Sequence, residues 1–311
     1  MLKLKNAFFI FSLTGIFLAL VSSCSNKKGT DKSNGKKIES TTSGEITVAM
    51  DESLKPVLDQ ELNVFDSSFP EIKIHRQYLS ESACFDRLFK DSARLIMVTR
   101  DLTKEEKRIS TANGIITRSL AVAEDAIAII VNTGSQDSLM TVGQLKSILT
   151  GKFAREYTIV FDNPNSGIVN YVSDSLIPGE KLSSKTYAVE NNEAVIKYVS
   201  ENKNALGILG VSHVYDPEDN SGAGVFRKNI KVVSFRNDST GVFYQPYQAY
   251  IAFREYPFTR SIYFISRENW PGPASGFANF LSSERGQLIF NKARLLPLRV
   301  QLTIREAAIK K

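Results

Sequence analysis

The apolar positions after residue 43 alternate between short runs typical of strands and longer stretches with helical spacing. The runs at 45–50, 73–79 and 93–100 predict strands, and residues 53–69 and 84–91 between them predict helices. This β-α-β-α-β order predicts a parallel, doubly wound sheet covered by helices.

The same alternation continues through the rest of the chain and predicts a second α/β unit. Strands are predicted at 121–132, 158–161, 207–214, 230–235, 247–253 and 261–266. Helices are predicted at 138–151, 166–176 and 191–205, with a terminal helix at 276–293. Two α/β lobes, with binding at the carboxyl ends of their strands, follow from this pattern.

The N-terminus has the pattern of a secretory signal. The basic stretch 1–6 precedes the apolar run 7–21, and Ser22-Ser23-Cys24 follows directly. Residues 1–23 are therefore predicted to be a signal peptide. Val21 to Cys24 resembles a bacterial lipobox, which implies a lipid on Cys24, whereas the alternative is an ordinary cleaved signal. Residues 24–43 are rich in Lys, Ser, Gly and Asn and predict a flexible tether.

Charge and cysteine content exclude several functions. Most of the net charge of +6 lies in the signal peptide and tether, so the folded part is nearly neutral and no nucleic-acid partner is expected. If Cys24 is lipidated, Cys84 is the remaining thiol and is expected to be buried. The two histidines, His75 and His213, lie in no catalytic motif, and no metal site or cofactor is indicated.

The stretch FDNPNSGIVNY, residues 161–171, predicts a strand that enters a small-residue turn and then a helix. Such a turn is a potential anion site because helix N-termini carry free N–H groups and positive partial charge. Asp162, however, places a negative charge in this turn. A hydrolase that uses Ser166 is disfavoured, because the G-x-S-x-G pattern and a histidine partner at recognisable spacing are missing.

Several segments in order resemble the PstS-like periplasmic phosphate-binding proteins, which are substrate-binding lipoproteins of phosphate ABC transporters. ARLIMVTRDLTKEE is similar to the family's ADIGMASRPLTxEE, AEDAIAIIVN to AxDGIAVVVN, and TVGQLKSILTGK to TVEQLKxIFxGK. NALGILGVSHV resembles NAIGYVGLGYV, and the segment from REYPFTRSIYFIS to ARLLPL resembles the family's C-terminal pattern. The resemblance covers nearly all of residues 44–300.

The resemblance implies an α/β fold of the two-lobed periplasmic-binding-protein type (type II), with the ligand cleft between lobes. It places lobe 1 at 44–121 plus 246–311 and lobe 2 at 122–245. It further implies a non-enzymatic monomer that closes on a small anion, phosphate in particular, and delivers it to ABC permease subunits. Such a protein is expected at the bacterial cell envelope, anchored by lipid and facing the periplasm or the exterior.

Residues at the positions of the family's pocket depart in part from its pattern. Asp162 stands where the family has an arginine, and Arg94 stands where it has an aspartate. The positions taken over as ligand-binding are Ser53, Ser80, Ser82, Arg94, Thr99, Arg100, Asp162, Ser166 and Gly167.

These departures leave two questions open. Arg94 and Asp162 could form a swapped ion pair across the cleft, or they could be solvated loop charges. The acids Asp51, Glu52 and Glu81, together with Asp162, would repel phosphate. Either several of them point away from the cleft, or the ligand is a zwitterionic or organic solute instead of free phosphate. The further alternative is a surface or sensing lipoprotein without a transport role.

Overall fold

A computed structural model of the protein describes residues 39–219 and 224–299 and contains thirteen strands in these ranges. They are β1 (Gly44–Asp51), β2 (Ile72–Leu79), β3 (Leu95–Val98), β4 (Arg118–Asn132), β5 (Leu139–Met140), β6 (Thr158–Phe161), β7 (Thr186–Ala188), β8 (Ala205–Gly210), β9 (Ile230–Val232), β10 (Ser234–Arg236), β11 (Phe243–Tyr244), β12 (Thr259–Ser266) and β13 (Leu296–Pro297).

The helices lie mainly between consecutive strands. They are α1 (Lys55–Ser68), α2 (Glu81–Phe89), α3 (Lys104–Ala112), α4 (Val142–Leu149), α5 (Gly167–Tyr171), α6 (Asn192–Glu201), α7 (Gln248–Ala252), α8 (Pro273–Ser282) and α9 (Glu284–Lys292). Short 3-10 turns at Glu52–Leu54 and Val211–His213 and a π-helical turn at Val172–Leu176 complete the described elements.

Local sequence explains where several helices begin. Thr103 and Glu106 form a reciprocal capping box at α3, in which each side chain accepts a hydrogen bond from the other residue's backbone N–H. Thr141 and Gln144 do the same at α4. These bonds satisfy backbone donors that the first turn of a helix leaves free, and they fix the start of each helix.

The main sheet is mixed, with the strand order β2-β1-β3-β12-β4-β8-β6-β7. β1 runs parallel to β2 and β3, and β6 runs parallel to β7 and β8. β12 lies antiparallel between β3 and β4. The first part of β4 pairs with β12 and its second part with β8 and β9, so this one strand connects both halves of the sheet.

Each half of the sheet has its own apolar core. The first half, β1 to β3 with β12, packs against helices through a ring cluster of Phe65, Phe277 and Phe280. The second half, β6 to β9 with the end of β4, buries residues such as Ile129 and Phe161. The two cores therefore lie on either side of one shared strand. The lobe bounds 44–121 plus 246–311 and 122–245 stay a prediction.

The first described residues, 39–43, lie within the predicted tether but form part of the folded structure. Ser40 and Ser43 close a turn by two backbone hydrogen bonds, and the Glu39 carboxylate accepts bonds from Arg94. The predicted signal peptide, Cys24 and the earlier part of the tether lie outside the described residues. Within 39–219 and 224–299, no helix combines the length and hydrophobicity of a membrane span.

The predicted α/β fold with its N-terminal β-α-β-α-β order is confirmed, but several predicted elements differ. The predicted strand 247–253 contains helix α7 (Gln248–Ala252) instead, because Tyr247, Tyr250 and Ile251 have helical spacing and only Ile251 is buried. The terminal helix is two helices that meet at Ser283. The helix after Ser166 changes from α to π geometry at Val172.

The packing of α6 on β8 gives a first prediction. A Cβ on Gly207 would lie 2.8 Å from Val195 and 2.9 Å from Ile130 and Val199, so Gly207→Ala overpacks the second core. We expect this change to lower the free energy of unfolding by about 1–3 kcal/mol in urea titrations. Gly143→Ala is the control, because the nearest atom would be 3.9 Å away and alanine favours helix. Equal stability of the two variants would contradict the packing described.

Candidate functional site

Polar side chains from both halves of the sheet converge at the carboxyl ends of three strands. Asp51 is the last residue of β1, Thr99 follows β3, and Asp162 follows β6. All three are buried, with at most 8 % of their surface exposed. Carboxyl ends of strands in α/β folds are the usual place for ligands, so this cluster is the candidate site.

A buried ion pair lies at the base of the site, on the two antiparallel strands β4 and β12. Arg260 and Asp125 are direct partners in the register, and both side chains are 2 % exposed. Arg260 Nε and Nη2 donate to Asp125 Oδ2 at 2.9 and 2.8 Å. Arg260 also donates to Ser53 Oγ at 3.1 Å and to Thr99 Oγ1 at 3.3 Å. One cation therefore holds three chain segments together.

Glu81 points into the site from the first turn of α2 and is 1 % exposed. Its Oε1 accepts hydrogen bonds from the Thr99 backbone N–H at 2.9 Å and from the Thr99 hydroxyl at 2.7 Å. Its Oε2 accepts a bond from Asn170 Nδ2 at 3.2 Å. Because Asn170 belongs to α5 in the second half, Glu81 bonds both sides of the site.

Asp51 faces Gly167, the first residue of α5. Asp51 Oδ1 accepts a hydrogen bond from the Ser53 backbone N–H at 2.8 Å, and Oδ2 has no hydrogen-bond partner among the described residues. A Cβ on Gly167 would overlap Asp51 Oδ2 and lie 2.6 Å from Thr99 Oγ1. The backbone at Gly167 thus approaches the first half as closely as only glycine allows.

The turn from Asp162 to Gly167 carries a second buried carboxylate. Asp162 Oδ1 accepts a bond from the Asn163 N–H at 2.9 Å, while Oδ2 is buried without a hydrogen-bond partner in the described ranges. Ser166 is the N-cap of α5, and its Oγ accepts a bond from the Val169 N–H at 3.3 Å. The Ser166 hydroxyl therefore serves the helix start.

Burial shifts the pKa values of several groups in the site. Burial, with the charge of Glu81 adding to it, raises the pKa of Asp51 to about 7 against the opposing effect of Arg260. Burial also raises the pKa of Asp162. It lowers the pKa of His213, whose Nε2 donates to the Ser53 carbonyl at 3.1 Å as a neutral imidazole. A neutral His213 thereby adds another bond between the halves.

Arg100 lies at the rim of the site and is already paired. Its two terminal nitrogens donate to Glu106 at 2.8 and 2.9 Å, and its guanidinium lies 3.8 Å from the centre of the Phe85 ring. Its Nε is 3.9 Å from Glu81 Oε2, at the outer limit of an ion pair. Arg100 is thus oriented by Glu106 and contributes only weakly to the site.

Of the two alternatives for Arg94 and Asp162, the swapped ion pair across the cleft does not form. Arg94 donates to Glu39 at 2.7 and 3.0 Å and to the Glu45 carbonyl at 2.6 Å. It precedes β3, whereas Thr99 follows that strand, so the two residues lie at opposite ends of β3. The guanidinium therefore belongs to a surface contact with residues 39–45, away from the carboxyl ends of the strands.

The turn before α2 is also arranged differently from the prediction. Ser82 is exposed, and Ser80 is the N-cap of α2, with its Oγ accepting from the Ala83 N–H at 3.4 Å. Glu81 is the residue that turns inward. Of the predicted residues, the structure brings together Ser53, Thr99, Asp162, Ser166 and Gly167. Their roles as ligand contacts stay a prediction.

Arg260 and Asp125 were not predicted as site residues. Both lie within segments that carry the family resemblance, REYPFTRSIYFIS and AEDAIAIIVN, and these matches were the available signal. Asp51 and Glu81 were noted only as charges that would repel phosphate, and the structure shows that neither points away from the site.

Comparison with known proteins shows the family of this chain. The chain matches the PBP superfamily domain over residues 35–285. It belongs to that superfamily. The family resemblance seen in the sequence and the type II periplasmic-binding-protein fold are thereby confirmed.

Solved structures share the fold of this PBP-superfamily chain. A Clostridium perfringens protein, described as a phosphate ABC transporter substrate-binding protein with bound phosphate, superposes with a TM-score of 0.69 at 21% identity, covering 82% of this chain and 100% of its own. A Vibrio cholerae ABC-type phosphate transport receptor gives a TM-score of 0.63 at 19% identity, with coverage of 82% and 100%.

A curated relative matches over a shorter length. The phosphate-binding protein PstS 2 of Streptococcus pneumoniae is 26% identical over 110 residues, which is 35% of each chain. The chain therefore spans about a third of the length of the curated relatives that it matches.

The ion pair at the base of the candidate site gives a second prediction. Arg260→Met leaves Asp125 buried without its partner, which should lower the free energy of unfolding by about 3–5 kcal/mol in urea titrations. The double variant Arg260→Met, Asp125→Leu should recover most of that loss. Arg108→Met, which removes an exposed pair with Glu105, should leave stability unchanged. Similar losses for Arg260→Met and Arg108→Met would refute the structural role of the pair.

The raised pKa of Asp51 gives a third prediction. Because the folded-state pKa of about 7 lies above the ordinary value of 3.8, the folded protein holds a proton that the unfolded chain releases. This contribution to stability is present below the ordinary value and is lost as pH rises through about 7, at up to about 1.4 kcal/mol per pH unit. Asp51→Asn should therefore gain stability relative to wild type between acidic and neutral pH.

The measurement is a series of urea titrations across that range. Asp86→Asn serves as the control, because the Asp86 side chain is 70% exposed on α2 and its ion-pair partner is the exposed Lys90. Its pH profile should match the wild type. Parallel profiles for Asp51→Asn and the wild type would show that Asp51 does not hold this proton.

Proposed function

We propose that this chain is the extracytoplasmic solute-binding protein of an ABC importer and is held at the bacterial cell envelope by a lipid on Cys24. The observation that carries the proposal is a buried polar cluster to which both halves of a PBP-type sheet contribute. Glu81 bonds Asn170 across it, and Gly167 lies against Asp51 and Thr99. Family membership supports this assignment.

The proposed mechanism is closure about β4 and β12. Each half has its own core, and the two strands are locked together by Arg260 and Asp125 at the base of the site. Parting of the halves would open the space between Gly167 and Asp51 to a solute, and closure would bury that solute. The protein acts as a monomer in this scheme and passes its solute unchanged to the permease.

Two ligand classes have support. Phosphate is named in the descriptions of the relatives, so a small anion is the first candidate. The buried carboxylates of Asp51, Glu81 and Asp162 favour the second candidate, a solute that is not a free anion. Like charges a few ångströms apart repel strongly where water is excluded, which makes three acids a poor environment for phosphate.

A thermal-shift panel on the full lipoprotein in detergent tests the proposal. The panel contains inorganic phosphate, sulfate, phosphonates, amino acids and small amines. A solute that saturates the site at 100 times its dissociation constant should add about 2.7 kcal/mol of stability and raise Tm. A panel in which no compound raises Tm would count against a solute-binding role.

Gly167→Ala provides the matched variant for this experiment. The added methyl group would contact Asp51 and Thr99 and hold the halves apart, so any ligand-induced shift should shrink. Gly143→Ala, on helix α4, should respond to ligand like the wild type. An unchanged ligand response in Gly167→Ala would show that the solute does not bind by closure at this site.

A further inference from the structure

Three hydrogen-bond donors of the site are taken up by Glu81. Its carboxylate receives the Thr99 N–H at 2.9 Å, the Thr99 hydroxyl at 2.7 Å and Asn170 Nδ2 at 3.2 Å. These donors come from both halves and meet at one carboxylate, as they would meet at a bound oxyanion. Glu81 thus occupies the position in which an anionic solute would find its donors.

Arg260, the buried cation of the site, is likewise committed. It donates to Asp125, Ser53 and Thr99, and its side chain is 2% exposed. The half-exposed Arg100 gives both of its terminal nitrogens to Glu106. Neither arginine has a pair of donors directed at an incoming anion.

Hydrogen-bond acceptors, by contrast, remain available. Asp51 Oδ2 and Asp162 Oδ2 are buried and have no hydrogen-bond partner among the described residues, and the same holds for Asp125 Oδ1. These three residues are 0%, 2% and 1% exposed, respectively. Buried polar atoms in proteins nearly always have a hydrogen-bond partner. Three buried carboxylate oxygens without one therefore point to a ligand that donates hydrogen bonds.

Two of these free oxygens come from opposite sides of the site. Asp51 ends β1 in the first half, and Asp162 follows β6 in the second half. Asp51 Oδ2 is directed at Gly167, the point where the halves touch. A donor that reached both Asp51 and Asp162 would contact both halves at once and favour closure.

We propose that the site recognises a small cationic amine, whose ammonium group donates hydrogen bonds to Asp51 and Asp162. This proposal rests on the proposed solute-binding function and specifies the class of solute. An ammonium group carries three N–H donors and one positive charge, which match the free acceptors and the excess of buried carboxylates. A metal ion fits less well, because no group of three or more His, Cys, Asp or Glu in the described residues is arranged to hold one.

The test compares amine and phosphate probes by titration calorimetry on the full lipoprotein. The probes are ethanolamine, 1,4-diaminobutane, glycine and inorganic phosphate. We expect at least one amine to bind the wild type and phosphate not to bind. Asp51→Asn and Asp162→Asn should each weaken amine binding by about tenfold to a hundredfold, because each loses a charged acceptor.

The control variant is Asp86→Asn, an exposed carboxylate on α2 outside the site, which should bind the amine like the wild type. Circular dichroism and Tm establish that each variant is folded. Because two site variants are tested, the proposal can still be tested if one of them does not fold.

The outcomes separate this proposal from the broader one. Phosphate binding without amine binding would overturn the amine proposal and leave the solute-binding function intact. Amine binding that is insensitive to both aspartate variants would overturn the assigned site. Failure of every probe here and in the thermal-shift panel would overturn both proposals.

Discussion

The buried ion pair between Arg260 and Asp125 is the interaction on which the rest of the site depends. It joins β4 and β12, the central strands between the two halves, and its guanidinium also fixes Ser53 and Thr99 from two other segments. A buried pair of this kind is a weak source of net stability, because desolvation offsets much of the attraction. Its value here is geometric. Removing either member would leave the other charged in an apolar setting, so the strands around the site are held in one arrangement.

The sequence predicted the parts of the fold and site that follow from local pattern. The carboxyl ends of β1, β3 and β6 could be located from apolar runs, whereas Ser53, Thr99, Asp162, Ser166 and Gly167 were taken over from the family resemblance. In the structure these five residues lie at those strand ends. Arg260 was missed because its contacts with Ser53 and Thr99 span 207 and 161 residues, and pairing at that distance leaves no periodic signal. Arg94 was misplaced because the match to the family did not show which end of β3 contributes to the site.

The orientation of the acidic side chains could not be predicted from the amino-acid composition. Glu81 lies between two serines, and the start of α2 determines which of the three faces inward. Ser80 becomes the N-cap, Ser82 is exposed, and Glu81 is buried against Thr99. A shift of one residue at this helix start would bring a hydroxyl group inward and leave Thr99 free to bind an anion. The inward position of Glu81 is therefore set by a single helix boundary, a feature that sequence patterns locate only within a few residues.

The buried acids also make closure depend on what lies between the halves. Bringing Asp51 and Asp162 out of water costs free energy, which the protein lowers by binding a proton at Asp51 or by supplying a donor. Near neutral pH, where Asp51 is partly ionised, a solute with N–H donors would offset that cost, whereas a dianion would add to it. Gly167 permits a close approach of the two halves at this point, so a donor that bonded these carboxylates would favour the closed arrangement. The same carboxylates would thus select the solute and couple its binding to closure.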